Sequence, residues 1–240
     1  MKSIQLPIIF EDADLIAIDK PAGLAVIPGR AEKTSAIEIL RAQINHRALV
    51  VHRLDKETSG VLLFAKNIAA QRHLSHQFQN NTIEKEYLAL VAARPSDNQG
   101  EIDAPLGPHP TSPKRMSILK HGGRPARTLW KIEQRFRHFT LLRIFPKTGK
   151  THQIRVHLNH IGLPLAIDPL YNPLSGPILL SKLKRNYRAK QDVEERPLMS
   201  RLTLHAQRLR FLHPNGEQID LESPLPKDFR VTISQLSRLG

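Results

Sequence analysis

One segment, VHRLDKETSGVLLFAK, places ionisable and hydroxyl side chains directly before a run of apolar residues. At its centre Asp55 follows Arg53 and precedes Lys56, Thr58 and Ser59. Nearby cations and hydrogen-bond donors keep a carboxyl group ionised. An ionised, positioned carboxylate can act as a nucleophile or as a base. These residues alone also allow a structural role, in which Asp55 caps a turn before a strand.

A second group of polar residues lies on a predicted helix in THQIRVHLNHIG. Thr151 is a suitable N-cap and Gly162 a stop signal. The apolar side chains recur at helical spacing, at Ile154, Leu158 and Ile161. The same spacing predicts a polar stripe at the edge of the apolar face, formed by His152, Arg155 and Asn159.

Several familiar motifs are only partly matched. PKTGKTHQ contains GKT, but Ile144 replaces the earlier glycine of a phosphate-binding P-loop. HRLD has one leucine more than the kinase HRD, and ETSGV lacks the first glycine of a hydrolase nucleophile elbow. The pairs His73/His76 and His157/His160 are typical of solvated helix faces, and we expect no metal site.

The composition indicates a polyanionic partner. The chain has 36 Lys+Arg against 22 Asp+Glu, a formal charge of +14 and no cysteine, which excludes a thiolate nucleophile. Aromatic residues make up 5%, so binding by charge and shape is favoured over successive base stacking. No apolar run approaches a bilayer span, and we expect a soluble, cytoplasmic protein.

The elements that would position these residues are mostly strands. We predict strands on both sides of EDAD and in VLLFAK, EKEYLALVAA, TLWKIEQRF and FTLLRIF. We predict further helices in TSAIEILRAQI with a threonine cap, in NIAAQRHLSHQFQNN capped by Asn67, and in PLPKDFRVTISQLSRL. Loops are expected from Arg94 to Arg124. Residues 175–197 are expected to form a basic surface insertion, with Lys182, Lys184, Arg185, Arg188 and Lys190.

Strands dispersed among few helices favour an α+β fold on a mixed, largely antiparallel sheet. A length of 240 residues fits one large domain or two small ones, and we expect a single domain over residues 1–240.

Five motifs together resemble one family. IDKPAGL, HRLDKETSG, KEYLALV, GKTHQIRVHL and RLTLHA occur in the order seen in the RluA family of RNA pseudouridine synthases. The resemblance runs from about Ile8 to Phe229. It implies that family's catalytic domain with a central RNA-binding cleft, without the N-terminal S4-type domain of many members. It also implies no metal, nucleotide or organic cofactor, and RNA as the partner of a protein that we expect to be monomeric.

The resemblance assigns residues to roles. It makes Asp55 the catalytic aspartate, Tyr87 the tyrosine that stacks on the base and assists proton transfer, and Arg155 the arginine that pairs with the aspartate. It implies that Arg53 occupies the space left by the displaced uridine, and that Leu204, or else Leu202, lies beneath the base. Phosphate contact and loop support both remain open for His52, Lys150, His152 and Gln153.

The expected reaction isomerises uridine to pseudouridine, and we expect it in 23S ribosomal RNA by analogy with the family. Transfer RNA, alone or with ribosomal RNA, is the alternative substrate. A catalytically idle RNA-binding or ribosome-assembly factor on the same fold is the second hypothesis, and a metal-dependent RNA hydrolase is the third.

Overall fold

The computed structural model describes residues 5–29, 34–184, 187 and 194–239. Its strands are β1 (Ile8–Glu11), β2 (Leu15–Lys20), β3 (Leu49–Val50), β4 (Ser59–Ala65), β5 (Glu84–Val91), β6 (Gln99–Asp103), β7 (Leu106–His109), β8 (Ser112–Ile118), β9 (Arg127–Arg135), β10 (Thr140–Pro146), β11 (Leu204–Leu212) and β12 (Gln218–Glu222). Its helices are α1 (Ala36–Ile44), α2 (Ile68–Gln79), α3 (Gln153–His160), α4 (Leu180–Leu183) and α5 (Lys227–Arg238).

The chain forms two compact units, each assembled from separate segments. The first unit contains the chain up to Tyr87, together with Phe145–Thr151 and His205–Pro224. The second contains Leu88–Ile144, His152–Leu204 and the chain from Leu225 onward.

The first unit is built on strands that are covered on both faces. β2 pairs antiparallel with β1 and β4, β4 pairs parallel with β11, and β11 pairs antiparallel with β12. Alternate residues of a strand point to opposite faces, so the central strands β2 and β4 each contribute to two apolar clusters. The cluster on the α1 side includes Ile16, Ile18, Leu62 and Phe64. The cluster on the α2 side includes Leu15, Ala17, Val61 and Leu63. Burial on both faces explains the continuous apolar run in the sequence of β4.

The second unit has strands in the order β5-β10-β9-β6, to which β5 contributes its second half. Phe229 and Leu236 of α5 pack with Leu88 and Leu90 of β5. Val156 of α3 packs with Tyr171. The predicted α+β class with mixed strands is therefore confirmed, while the single domain stays a prediction.

Several boundaries differ from the sequence-based expectations. The predicted loop region from Arg94 to Arg124 contains β6 and the β7–β8 hairpin. β6 lies last in its strand order and only one of its residues, Ile102, is buried, so its sequence lacks an apolar pattern. β11 and β12 were also not predicted. The N-cap of α1 is Ser35 rather than the preceding threonine, and that of α3 is His152 rather than Thr151.

Two further expectations concern surface residues. His157 is fully buried, where its ring contacts Thr128 Oγ1 at 2.9 Å and the Ala104 carbonyl oxygen at 3.0 Å, so the predicted solvated face was wrong for this residue. In the predicted basic insertion, Lys182 and Lys184 are exposed. Arg185, Arg188 and Lys190 lie outside the described residues. No helix in the described part of the chain is long and apolar enough to cross a bilayer.

Candidate active site

The loop that carries Asp55 is hydrogen-bonded to the loop after β2. The carbonyl oxygen of Lys56 accepts hydrogen bonds from the Gly23 amide at 2.9 Å and from Lys20 Nζ at 2.9 Å. The Thr58 amide donates to the Asp55 carbonyl oxygen at 3.1 Å, which closes a turn. These backbone contacts fix the direction of the chain at the half-buried Asp55.

Lys20 is the centre of this support. Its side chain is fully buried, and Nζ also donates to the carbonyl oxygens of Pro21 at 2.9 Å and Leu24 at 2.8 Å. A buried ammonium group is costly unless its hydrogens are bonded. One side chain therefore ties the KPAGL loop to the residue that follows Asp55.

The structure explains why the TSG motif ends in a glycine, Gly60. Its φ of +121° lies where L residues are rarely found, and an added Cβ would overlap the carbonyl oxygen of Ala206. Absence of a side chain lets β4 approach β11 closely, immediately after the Asp55 loop.

Tyr87 lies on β5 and packs against the apolar cluster that contains Leu54. Burial, and then the negative charge of Asp55, raise the pKa of the Tyr87 phenol above its ordinary value. The phenol therefore stays protonated at neutral pH and can donate a hydrogen bond. The structure thus brings two of the predicted catalytic residues, Asp55 and Tyr87, close enough to interact.

His52 supports the same loop. Its Nε2 accepts a hydrogen bond from the Leu63 amide at 3.0 Å, and its ring stacks on Phe78 with 4.5 Å between centroids. Burial, and then the positive charge of Lys85, lower the pKa of His52 to about 3. A neutral ring that accepts a backbone hydrogen bond matches the loop-support role that the sequence left open, and phosphate contact stays a prediction.

Lys150 belongs to a group of lysines in the first unit. It is half-buried, and its charge contributes, after burial, to lowering the pKa of Lys85 to about 8.

Arg53 is exposed in the Asp55 loop, where its side chain faces solvent.

Arg155 lies on α3 in the second unit and is 7% exposed. Its guanidinium forms a bidentate ion pair with Asp168, with Nε to Oδ2 at 2.9 Å and Nη2 to Oδ1 at 2.8 Å. The Tyr171 ring lies 5.1 Å from the guanidinium carbon. Bidentate pairing and the ring fix the side chain geometrically. The pairing of Arg155 with Asp55 stays a prediction.

Asp168 was not found by sequence reasoning. It is 1% exposed and also accepts hydrogen bonds from the Leu170 and Tyr171 amides, at 3.0 and 3.1 Å. An acidic residue directly after the apolar LPLAI segment could have indicated a buried partner for a helix arginine, because buried charges are paired.

His152 stands at the start of α3 in the left-handed conformation, with φ 55° and ψ 18°. Its Nδ1 lies 2.8 Å from Tyr171 Oη, which also accepts the Met116 amide at 2.8 Å. Tyr171 therefore links the side chain of His152 to the backbone of β8. Such strain in a non-glycine residue is typical of functional sites.

The remaining candidates are buried. Gln153 donates to the Arg127 carbonyl oxygen at 3.0 Å and to Thr128 Oγ1 at 2.9 Å, which gives it a structural role. Leu202 and Leu204 are 1% and 3% exposed, so burial does not distinguish which of them would lie beneath a base.

Solved structures share this fold. The chain is similar to human RNA pseudouridylate synthase domain containing 4, with a TM-score of 0.74 and 25% identity over 96% of this chain and 93% of that one. Human RNA pseudouridylate synthase domain containing 1 gives a TM-score of 0.72 at 23% identity, covering 92% of this chain and 84% of that one.

Sequence comparison identifies the family. Residues 14–160 match the family model described as RNA pseudouridylate synthase. The ribosomal large subunit pseudouridine synthase D of Nitrosomonas europaea is 42% identical over 99% of this chain and 67% of its own length. The ribosomal large subunit pseudouridine synthase C of Yersinia pestis is 41% identical over 96% of this chain and 69% of its own.

This chain therefore belongs to the RNA pseudouridylate synthase family. It is an isomerase that forms pseudouridine in RNA, as the motifs predicted.

Proposed function

We propose that this enzyme modifies ribosomal large-subunit RNA and that Asp55 is its catalytic carboxylate. The observation that supports Asp55 most directly is its charge beside the partly buried, protonated phenol of Tyr87. A carboxylate and a hydrogen-bond donor next to each other provide the two kinds of group that acid–base or covalent chemistry on a nucleoside requires.

The reaction breaks the bond from ribose C1′ to uracil N1 and joins C1′ to C5, from which a proton leaves. Asp55 could attack C1′, add to C6 of the base, or remove a proton from the ribose. Each route needs an ionised carboxylate beside the nucleoside. The protonated Tyr87 can donate a hydrogen bond to the base or present its ring as a stacking surface, a contact worth about 1–3 kcal/mol in single-strand binders.

The target uridine must leave its stack to reach Asp55, at a cost of a few kcal/mol. We propose that the exposed Arg53 fills the vacated space and offsets part of that cost. We also propose that Arg155 orients Asp55 during the reaction and that Leu204 supports the base from below. The buried pairing with Asp168 supports the role of Arg155, because it holds the guanidinium in one geometry.

The choice of RNA rests on the relatives. Those named above are ribosomal large subunit pseudouridine synthases, which supports a ribosomal substrate. Transfer RNA, alone or with ribosomal RNA, is the alternative. The isomerisation consumes nothing, so we propose that it needs no metal, nucleotide or organic cofactor. We also propose that the enzyme works in the cytoplasm as a monomer with a single catalytic domain.

The test is release of tritium from RNA labelled at uridine C5, because the C5 hydrogen must be replaced. Unmodified large-subunit ribosomal RNA and transfer RNA are assayed separately. Asp55→Asn should reduce release by at least about a thousandfold while RNA affinity stays within a few-fold. Glu57→Gln is the matched control, because it removes an exposed carboxylate from the same loop and should keep full activity.

An active Asp55→Asn enzyme would overturn the catalytic assignment. Release from transfer RNA alone would overturn the ribosomal assignment and leave the chemistry intact. Binding of both RNAs by the wild-type enzyme without release from either would favour the idle RNA-binding factor.

A further inference from the structure

Three lysines of the first unit, Lys85, Lys147 and Lys150, lie close enough together that the charges of two of them act on the third. Lys85 lies on β5, and Lys147 and Lys150 lie in the segment between β10 and α3. Nζ of Lys85 donates to the Thr148 carbonyl oxygen at 3.2 Å, and a Cβ added to Gly149 would lie 3.8 Å from the same nitrogen. The ammonium group of Lys85 therefore lies directly against the turn that carries the other two lysines.

The charges that act on Lys85 are of one sign. Burial, and then the positive charges of Lys150 and Lys147, together lower the pKa of Lys85 to about 8. The nearby His52 ring is neutral, since its own pKa is lowered to about 3. The free enzyme thus holds like charges together at an electrostatic cost, and a bound anion would relieve that repulsion.

The position of this lysine group relates it to Asp55. Lys85 and Tyr87 are two residues apart on β5, so they point to the same face of the strand, about 7 Å apart along it. The charge of Asp55 raises the pKa of Tyr87, and the charge of Lys85 lowers the pKa of His52, which lies three residues before Asp55. A uridine with its base at Tyr87 and its ribose at Asp55 would carry its phosphates within reach of the lysines.

We infer that Lys85, Lys147 and Lys150 form a subsite for one of the two RNA phosphates attached to the target uridine. The inference deepens the proposed function and rests on its placement of the uridine at Asp55 and Tyr87. The three side chains bind the phosphate by charge and read no sequence, so the subsite positions the nucleotide for reaction.

The first experiment compares single-charge removals with a short RNA that contains the mapped target uridine. Lys85→Gln should raise the KM about tenfold or more, the loss expected for a charged hydrogen bond. Lys227→Gln removes an exposed lysine at the start of α5 and should change the KM less than about twofold. Lys85→Arg should restore the wild-type KM.

A neutral methylphosphonate linkage, placed on either the 5′ or the 3′ side of the target uridine, identifies which of the two phosphates Lys85 binds. At one of the two positions the KM values of wild type and Lys85→Gln should become equal. If Lys85→Gln loses the same factor with both neutral linkages, or loses no more than Lys227→Gln, the subsite is overturned.

Measuring the stability of Lys85→Gln distinguishes a role of Lys85 in RNA binding from a role in folding. Lys85→Gln should be as stable as the wild type or more stable at about pH 7, because a repulsive charge is removed. A lower melting temperature together with a lower kcat would instead identify a structural lysine. If Asp55→Asn stays active, the proposed function fails, and the KM comparison between RNA with the natural linkage and RNA with the neutral linkage still tests the phosphate contact.

Discussion

His52 illustrates how a single residue can couple acid sensitivity to the architecture of the site. In the folded protein its pKa is lowered from 6.5 to about 3, by burial and then by Lys85. Because the folded state disfavours the charged ring, the neutral ring contributes stability above about pH 6.5. That contribution is lost as the pH falls from there toward 3, since protonation then favours the unfolded chain.

The substitution His52→Gln tests this coupling. The glutamine side chain could still accept the Leu63 amide but could not take up a proton, so we expect a smaller fall in stability on acidification. The difference from the wild type should be on the order of 1–2 kcal/mol near pH 4.5, after allowance for partial solvent exposure. Urea unfolding at about pH 7 and pH 4.5 measures it. Equal pH dependence in the two proteins would contradict the lowered pKa.

Residue types in the sequence indicated Asp55 as a candidate, and the family resemblance added the roles of Tyr87 and Arg155, but neither showed the immediate surroundings of these residues. Asp168 is 13 positions from Arg155, and its pairing depends on the course of the intervening loop. Lys20 lies next to a proline and reads as a surface lysine, yet its side chain is fully buried. The pairing of Arg155 with Asp168 and the burial of Lys20 both depend on contacts between distant parts of the chain, which residue type and spacing do not show.

At the scale of elements, the loop after β2 and the Asp55 loop behave as one structure, because Lys20 bonds to carbonyl oxygens in both. A displacement of reacting groups by about 1 Å can reduce a rate a hundredfold. Rigid support of the Asp55 loop is therefore expected to influence turnover even though Lys20 is not placed on the substrate.

Lys20→Met should lower the single-turnover rate by about 10–100-fold and leave RNA affinity within a few-fold. Its stability should also fall, because buried carbonyl oxygens lose a donor at about 1–3 kcal/mol each. Lys66→Met is the matched control, since Lys66 Nζ bonds to the Asp12 carbonyl oxygen at 2.7 Å and to Glu11 at 3.0 Å. The control should lose stability without losing rate. Equal rates for Lys20→Met and the wild type would show that the loop does not need this support.

The elements that could be predicted are those with a clear apolar period or a cap. α2 begins after Asn67, whose side chain accepts the Ala70 amide at 2.9 Å, and β4 is buried throughout its length. β7 and β8 were missed because their sequences, LGPH and SPKRMSI, contain proline and little apolar alternation. Their pairing with each other depends on partners that the local sequence does not show.

At the scale of the whole molecule, the charge of +14 makes RNA binding largely a matter of counterion release. Many of the described basic residues are paired, for example Arg127 with Glu101 and Arg208 with Asp220. Paired cations attract RNA less than unpaired ones, because the neighbouring carboxylate opposes the phosphate. Lys147 is exposed and its charge acts on another lysine, Lys85, so it should contribute more to the salt dependence of binding than these paired arginines do.

Titration of the inactive Asp55→Asn enzyme with RNA, by fluorescence anisotropy, tests this expectation without turnover. The Kd should rise at least about tenfold between roughly 50 and 200 mM KCl, as expected for several phosphate contacts. Adding Lys147→Gln should reduce the slope of log Kd against log salt by about one contact. Adding Arg208→Gln should change it less, because this arginine is already bound to Asp220. If both substitutions reduce the slope equally, the RNA contacts are spread over the surface and pairing with carboxylates does not select them.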